Sequence, residues 1–143
     1  VEDALSATRS AVEEGIVAGG GLALIRGRSV LDDLHLSRDA LTGVNILQRA
    51  LERPLQLISE NTGVAGDVIL ADSEKAEGDW GYDAEAGEFT HLLERGIMDP
   101  AKVTRSTLQN AAGVEGMVST TESITTEKPQ EKSAAPPMPP MDY

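Results

Sequence analysis

The chain has 143 residues, with 12 Lys and Arg against 24 Asp and Glu, and it contains no Cys. Its formal net charge of −12 disfavours sequence-independent binding to a nucleic-acid backbone, which requires a surplus of basic residues. The absence of Cys excludes a disulfide framework and any Cys-based zinc site or nucleophile. No stretch approaches the roughly 18 apolar residues of a membrane span, and no secretory signal is recognisable. We therefore expect one domain at most, in the cytoplasm, with neither nucleic acid nor membrane as a partner.

A helical pattern occupies residues 1–14 and ends at Gly15, because small and apolar residues recur there at the spacing of one helix face. No Ser, Thr, Asp or Asn precedes this pattern to cap its first turn, and the first residue is not Met. We therefore expect the sequence to be a piece of a longer protein, with processing of a precursor as the alternative. Three consecutive glycines, Gly19–Gly21, precede an apolar run that begins a second helix at Leu22.

The next segment predicts further helices that proline and glycine separate. Residues 39–52 carry Leu and Val on one helix face. Pro54 is expected to end this helix and to begin the following one, because proline lacks the N–H that a helix interior needs. Residues 67–76 predict another short helix.

The apolar spacing changes around Trp80. Trp80 and Tyr82 alternate with Gly81, and turn-forming residues then separate them from Phe89. This pattern predicts a short β-hairpin. Residues 91–94 are expected to return to helix.

The last long helix is predicted to run from Asp99 to about residue 118. Asp99 would be its N-cap and Pro100 its first helical residue. Gly113 and Gly116 lie inside this helix, where each costs about 1 kcal/mol relative to Ala, so we expect a close backbone contact that requires them.

The end of the sequence predicts little regular structure. Residues 124–126 are interpreted as a short edge strand, and the Pro-rich residues 129–143 as a disordered tail. The predicted fold class is therefore mainly α, a helical bundle with a small β-hairpin and an edge strand.

Few residues indicate chemistry by themselves. The turn Gly19–Gly21 could present backbone N–H groups to an anion, but a flexible turn between helices explains it as well. Asp3 suits the first turn of a helix, whether it is merely solvated or orients a metal or a water. Asp99 is explained as an N-cap. His35 and His91 lack the spacing of metal ligands. From the residues alone, the sequence predicts a helical, acidic protein with weak signs of a nucleotide pocket.

Four segments together resemble one family, the group I chaperonins of the GroEL type. These segments are VEDALSATRSAVEEGIVAGGGLALIR, GVNILQRALERPLQLISENTGV, GYDAEAGEFTHLLERGIMDPAKVTRSTLQNAAGV and STTES, in the family's order. The resemblance covers about residues 1–128. It implies that residues 1–14 end the intermediate domain and that residues 15–128 form the C-terminal half of the equatorial, ATP-binding domain.

The resemblance implies an ATP-driven folding chaperone that forms seven-membered rings, usually two back to back. A small co-chaperonin lid and unfolded protein clients would be its partners, and ATP with Mg²⁺ its cofactors. The resemblance also implies roles for particular residues. Asp3 would orient the attacking water and help to hold Mg²⁺, and Gly19 and Gly20 would lie against the nucleotide. Asp83, Ala84 and Glu85 would lie beside the adenine, and Ile97 would pack on the base.

Two further roles follow from the resemblance. Asp99 would accept hydrogen bonds from the ribose. Glu14 and Arg105 would form a pair that rearranges when nucleotide binds.

The sequence also departs from this family. Asp83 stands where Asn is usual, Glu85 replaces a small or apolar residue, and Glu115 and Ser119 add polar groups to the last helix. The family's phosphate-binding loop and client-binding domain do not occur in these 143 residues, so we expect the chain alone to be inactive. The alternatives are a nucleotide-independent ring-contact piece and an unrelated helical binding module. Bacterial cytoplasm is the expected location, with organelles as the alternative.

Overall fold

A computed structural model of the chain describes residues 2–34, 36–123 and 125. Helices dominate, which confirms the predicted mainly α class. In chain order the elements are α1 (Glu2–Glu14), β1 (Ile16–Ala18), α2 (Leu22–Arg28), a 3-10 turn (Ser29–Leu31), α3 (Arg38–Asn61), α4 (Gly66–Lys75), β2 (Trp80–Asp83), β3 (Glu88–His91), β4 (Met98–Pro100) and α5 (Ala101–Ser119).

Helix α3 runs through Pro54 without ending, so the predicted break there is wrong. Proline removes one hydrogen bond and crowds the preceding turn. Leu51, three residues before it, and Leu55, directly after it, are 7 % and 2 % exposed and pack into the core. Burial of this apolar face therefore outweighs the local preference of Pro54 to end a helix.

The described residues also form two small antiparallel sheets. The predicted hairpin is confirmed: β2 pairs with β3 in a register that places Tyr82 opposite Phe89. The second sheet was not predicted, and it pairs β1 with β4 so that Val17 lies opposite Asp99. Because of this pairing, the prediction that Asp99 is the N-cap of the last helix is wrong. Asp99 lies in strand β4, and Pro100 is the N-cap of α5.

The segment after the hairpin is a further correction. Strand β3 continues to His91, and a turn rather than a helix follows it. Leu92 is buried at the start of this turn and Gly96, with φ +79°, ends it. Leu92 anchors the turn to the core, so the polypeptide changes direction before β4.

The core lies where α2, α3 and α4 meet the hairpin. Ile25, Leu55, Ile69 and Tyr82 form its centre, with Val64, Leu70, Ala84 and Phe89 packed around them. The rings of Tyr82 and Phe89 pack against each other at a centroid distance of 5.6 Å, with their planes tilted by 56°. The hairpin is therefore held by its own aromatic pair and by three helices.

Helices α1 and α5 pack against each other outside this core, and neither contains a buried residue. A β-carbon at Gly113 or Gly116 would meet no atom within 4 Å among the described residues, so the predicted close contact is not formed there. Large apolar side chains of these helices remain exposed, including Val12 at 82 % and Met117 at 65 %.

The edge strand predicted at residues 124–126 and the tail at residues 129–143 lie outside the described residues, apart from Thr125, which belongs to no strand. Within the described part of the chain, every helix is too short or too polar to cross a bilayer.

Candidate functional site

The glycine turn between β1 and α2 lies against the segment that leads into β4. The Gly19 N–H donates to the Ile97 carbonyl at 3.0 Å. A β-carbon at Gly19 would stand 3.2 Å from the Ile97 backbone carbon, so only a residue without a side chain fits there unchanged. Gly20 and Gly21 have φ of +64° and +81°, conformations that glycine adopts without strain.

The tip of the hairpin is built around Asp83, which is 6 % exposed. Its Oδ1 accepts hydrogen bonds from the N–H groups of Glu85 at 2.9 Å and Ala86 at 3.1 Å. Either Asp or Asn can offer such an oxygen, so the departure from Asn at this position leaves the turn intact. Ala84, half-buried, packs against the core.

An open cleft of about 330 Å³ separates the hairpin tip from the segment before β4. Its lining consists of Asp83, Glu85, Ala86, Arg95 and Ile97.

The glycine turn adjoins this cleft at two points. Gly19 contacts Ile97, and a β-carbon at Gly20 would stand 3.8 Å from the Tyr82 carbonyl oxygen, next to Asp83. The structure therefore brings together five of the predicted site residues, which are Gly19, Gly20, Asp83, Glu85 and Ile97.

The charges of the cleft are mostly negative. Among the described residues the one cation in its lining is Arg95, which donates to Glu88 at 2.7 Å and has its Nε 3.8 Å from Asp83 Oδ2. Glu85 adds a further exposed carboxylate. Such a lining suits a neutral group with hydrogen-bond donors and an apolar face, whereas a polyphosphate would meet repulsion.

Asp99 and Asp3 lie away from the cleft lining. Asp99 is exposed in β4, two residues beyond Ile97. Asp3 is exposed in the first turn of α1, and the main partners of this helix are α5 and β4. Asp3 precedes Glu14 by 11 residues, or about 16 Å along the helix axis, so it is remote from the end of α1 nearest the glycine turn.

An ion pair joins the C-terminal end of α1 to α5. The Arg105 guanidinium donates to both carboxylate oxygens of Glu14, at 2.6 and 2.9 Å. The hydrogen bonds from Arg105 lower the pKa of Glu14, and the same bonds raise the pKa of Arg105. Lys102 pairs with Glu13 one residue earlier. The two residues that the sequence resemblance couples are therefore in direct contact.

The described residues do not form a complete metal site. No group of three His, Asp or Glu side chains in this part of the chain could hold an ion. Asp3 could therefore supply at most one ligand to Mg²⁺, with the others coming from elsewhere.

Two arginines near the site were not predicted from the sequence. Arg95 lines the cleft, and Arg26 donates hydrogen bonds to three backbone carbonyls at the base of the hairpin. Arg26 follows Leu22 by four residues, so it shares the face of α2 that carries a fully buried leucine. A basic residue on the buried face of a helix could have indicated from the sequence that Arg26 has a specific partner.

These features define a mainly helical domain in which a glycine turn and a hairpin tip meet at a cleft. The TCP-1/cpn60 chaperonin family model matches residues 1–129. The chain belongs to this family.

A solved structure shares the fold. The chain is similar to the open-state monomer of a group II chaperonin from Methanococcoides burtonii, with a TM-score of 0.66 and 20 % sequence identity. The match covers 72 % of this chain and 27 % of that monomer. The chain thus corresponds to about a quarter of a chaperonin monomer.

Proposed function

We propose that this chain supplies part of the nucleotide-binding domain of an ATP-dependent folding chaperone of the group I branch. In this proposal residues 1–14 end an intermediate domain and residues 15–128 form half of the equatorial domain. The whole protein would form seven-membered rings, bind unfolded clients and a co-chaperonin lid, and act in the bacterial cytoplasm. The observation that carries the proposal is the convergence of Gly19 and the hairpin tip on the cleft beside Ile97.

The chemistry of the cleft supports the base and ribose end of a nucleotide. Ile97 and Ala86 offer apolar surface, and the carboxylate of Glu85 can accept hydrogen bonds from an amino group. Asp99, two residues beyond Ile97, is the proposed acceptor for ribose hydroxyls. Gly20 leaves room for a ligand to approach the backbone, because the nearest atom to its β-carbon position is the Tyr82 carbonyl oxygen at 3.8 Å, and Gly19 lets the same turn lie against Ile97.

In this proposal the phosphates of the nucleotide are bound by groups outside the cleft, because the cleft is mostly negative. Arg95 is already engaged by Glu88, and the cleft's other charges are carboxylates. Phosphoryl transfer depends on cations, Mg²⁺ and a positioned water. We propose that the cations come from outside these 143 residues and that Asp3 orients the water and contributes one Mg²⁺ ligand. By this account the isolated chain does not hydrolyse ATP.

The test is an ATPase and nucleotide-binding assay on the intact gene product that carries this sequence. Asp3→Ala should retain ATP binding and lose most of the turnover, by on the order of 10²-fold or more, since the water is no longer positioned. Glu2→Ala removes another exposed carboxylate from the same helix turn and should leave turnover unchanged. Equal rates for the two variants would remove Asp3 from the mechanism, and absence of ATP binding by the wild type would overturn the proposed function.

A second candidate function is a nucleotide-independent role in ring contacts. The exposed apolar side chains of α1 and α5, among them Leu5 and Val114, favour it because such surface is usually covered. Two measurements distinguish the two functions. If the ring-contact function is correct, the intact product should assemble into rings of unchanged size with or without ATP, and it should show no ATPase activity.

A further inference from the structure

We propose that Arg26 is a positioning residue that fixes the base of the β2–β3 hairpin to α2 and thereby sets the cleft beside Ile97. Its effect on ATP rests on the function proposed above. Its effect on the hairpin does not, because that effect follows from contacts within the chain.

The guanidinium of Arg26 uses each of its three nitrogens on a different backbone carbonyl. Nη1 donates to Ser73 at 2.7 Å, Nε to Gly78 at 3.0 Å and Nη2 to Trp80 at 3.1 Å. Among the described residues Arg26 takes part in no ion pair, so these carbonyls are its partners. One side chain therefore joins α2 to the end of α4, to the connecting loop and to the first residue of β2.

The positions of the three carbonyls suit such a donor. Ser73 lies in the last turn of α4, where helix carbonyls have no partner within the helix and a cation is favourable. Gly78, with φ +63°, and Trp80 lie on either side of the bend into the strand. A planar guanidinium can reach all three at once, whereas a lysine ammonium presents its donors from a single atom.

The position of Arg26 couples the two sides of the cleft. Helix α2 begins directly after the glycine turn, and β2 ends at Asp83. Close packing reinforces the link, since a β-carbon at Gly81 would stand 2.9 Å from Leu22 Cδ2. Asp83 is three residues, or about 10 Å of strand, beyond the carbonyl of Trp80 that Arg26 holds. A shift at the hairpin base therefore moves Asp83 relative to Gly20.

Arg28 provides a matched control on the same helix. It pairs with Glu52 of α3 and, at 2.6 Å, with Glu74 of α4, so within the described residues its side chain binds carboxylates and not the hairpin. Replacing Arg28 removes a similar charge and volume and also loosens α2 from α4, but it leaves the three carbonyls of the hairpin base with their donor.

The first measurement is amide hydrogen exchange of residues 80–91 in the intact gene product. Arg26→Ala should speed exchange in this segment by about tenfold, as expected when hydrogen bonds from a charged donor are lost. Arg28→Ala should leave the segment at the wild-type rate. Arg26→Lys should fall between the two, and it decides the question if Arg26→Ala does not fold. Wild-type exchange in both Arg26 variants, or equal acceleration in Arg28→Ala, would overturn the proposal.

The second measurement is steady-state ATPase activity. Arg26→Ala should raise KM for ATP by about tenfold with kcat within about twofold of wild type, because a displaced Asp83 weakens nucleotide binding without touching the reacting groups. Arg28→Ala should change neither constant. A loss of kcat at unchanged KM would contradict the positioning role. If the wild type binds no ATP, the proposed function fails while hydrogen exchange still decides whether Arg26 fixes the hairpin.

Discussion

Gly21 lies directly against Leu55, with the backbone of the glycine turn pressed onto helix α3. A β-carbon at Gly21 would stand 2.8 Å from the Leu55 amide nitrogen and 3.1 Å from its Cα. Leu55 is 2 % exposed and belongs to the centre of the core. Gly21 therefore allows the turn to pack against the core, whereas Gly19 contacts Ile97 and lies on the side of the candidate site.

Gly21→Ala should destabilise the chain strongly. The substitution combines a positive φ, which costs an ordinary residue about 1 kcal/mol, with overlap against a backbone that cannot move aside, which adds about 1–3 kcal/mol. Gly63→Ala is the control, because Gly63 has φ +84° and nothing within 4 Å of its β-carbon position. Urea unfolding should show a loss for Gly63→Ala of about 1 kcal/mol and a loss two to four times as large for Gly21→Ala. Equal losses would show that the contact with Leu55 is unimportant.

Two fully buried serines should respond to alanine in opposite directions. The Ser73 hydroxyl has no hydrogen-bond partner among the described residues, whereas Ser59 Oγ donates to the Leu55 carbonyl at 2.9 Å. Ser73→Ala removes an unpaired buried polar group and should raise the free energy of unfolding by about 1 kcal/mol. Ser59→Ala should lower it by about 0.5–1.5 kcal/mol. Urea unfolding of both variants gives the comparison, and a loss of stability in Ser73→Ala would reveal a partner for its hydroxyl.

Local signals were enough to predict much of the fold. The helices near residues 1–14, 67–76 and 99–118 follow apolar spacing, and the hairpin follows the alternation around Trp80. The Pro54 prediction failed because a local preference was weighed without the burial of the residues around it. The β1–β4 sheet was missed because it joins three-residue strands that lie far apart in the sequence, and such short strands leave no pattern.

The candidate site was predicted as a set of residues rather than as an arrangement. Resemblance to a family supplied Gly19, Glu85 and Ile97, but only the fold shows that they lie around one cleft. Arg95 and Arg26 were missed because their partners are a side chain and carbonyls that the sequence does not place nearby. Asp3 is the opposite case, since its predicted role requires groups that these residues do not include.

Asp79 precedes β2 and bonds to residues at and just beyond the end of β3, and its contact with His91 should make the stability of the hairpin depend on pH. Asp79 Oδ1 lies 2.8 Å from His91 Nδ1, and Oδ2 accepts from the Leu93 N–H at 3.3 Å. The hydrogen bond between the two side chains raises the pKa of His91 above 6.5 and lowers the pKa of Asp79 below 3.8, and Glu94 adds a smaller upward effect on His91.

The signs define a pH window. Stabilisation from His91 is complete below pH 6.5 and is lost as the pH rises through the raised pKa of His91. Stabilisation from Asp79 is present above pH 3.8 and is lost as the pH falls through the lowered pKa of Asp79. The gap in Tm between wild type and His91→Gln should therefore be larger at about pH 5.5 than at about pH 8.5. An NMR titration checks the cause, because Asp79→Asn should return the pKa of His91 towards 6.5. An unchanged His91 titration in that variant would contradict the pairing.

The Glu14–Arg105 pair should contribute more to the docking of α1 on α5 than the neighbouring Glu13–Lys102 pair. Arg105 binds Glu14 through two nitrogens and lowers the pKa of its carboxyl, so the contribution is present above pH 4.5 and is lost as the pH falls through that lowered value. Glu14→Gln should lower Tm at pH 7 more than Glu13→Gln does, and the difference should become smaller as the pH falls below 4.5 and when the salt concentration is high. Equal Tm values for the two variants at pH 7 would contradict this prediction, and values equal to that of the wild type would place the Glu14–Arg105 pair among surface ion pairs that contribute nothing measurable. In that case breaking the pair would cost little free energy, and the docking of α1 on α5 would depend on the other contacts between the two helices.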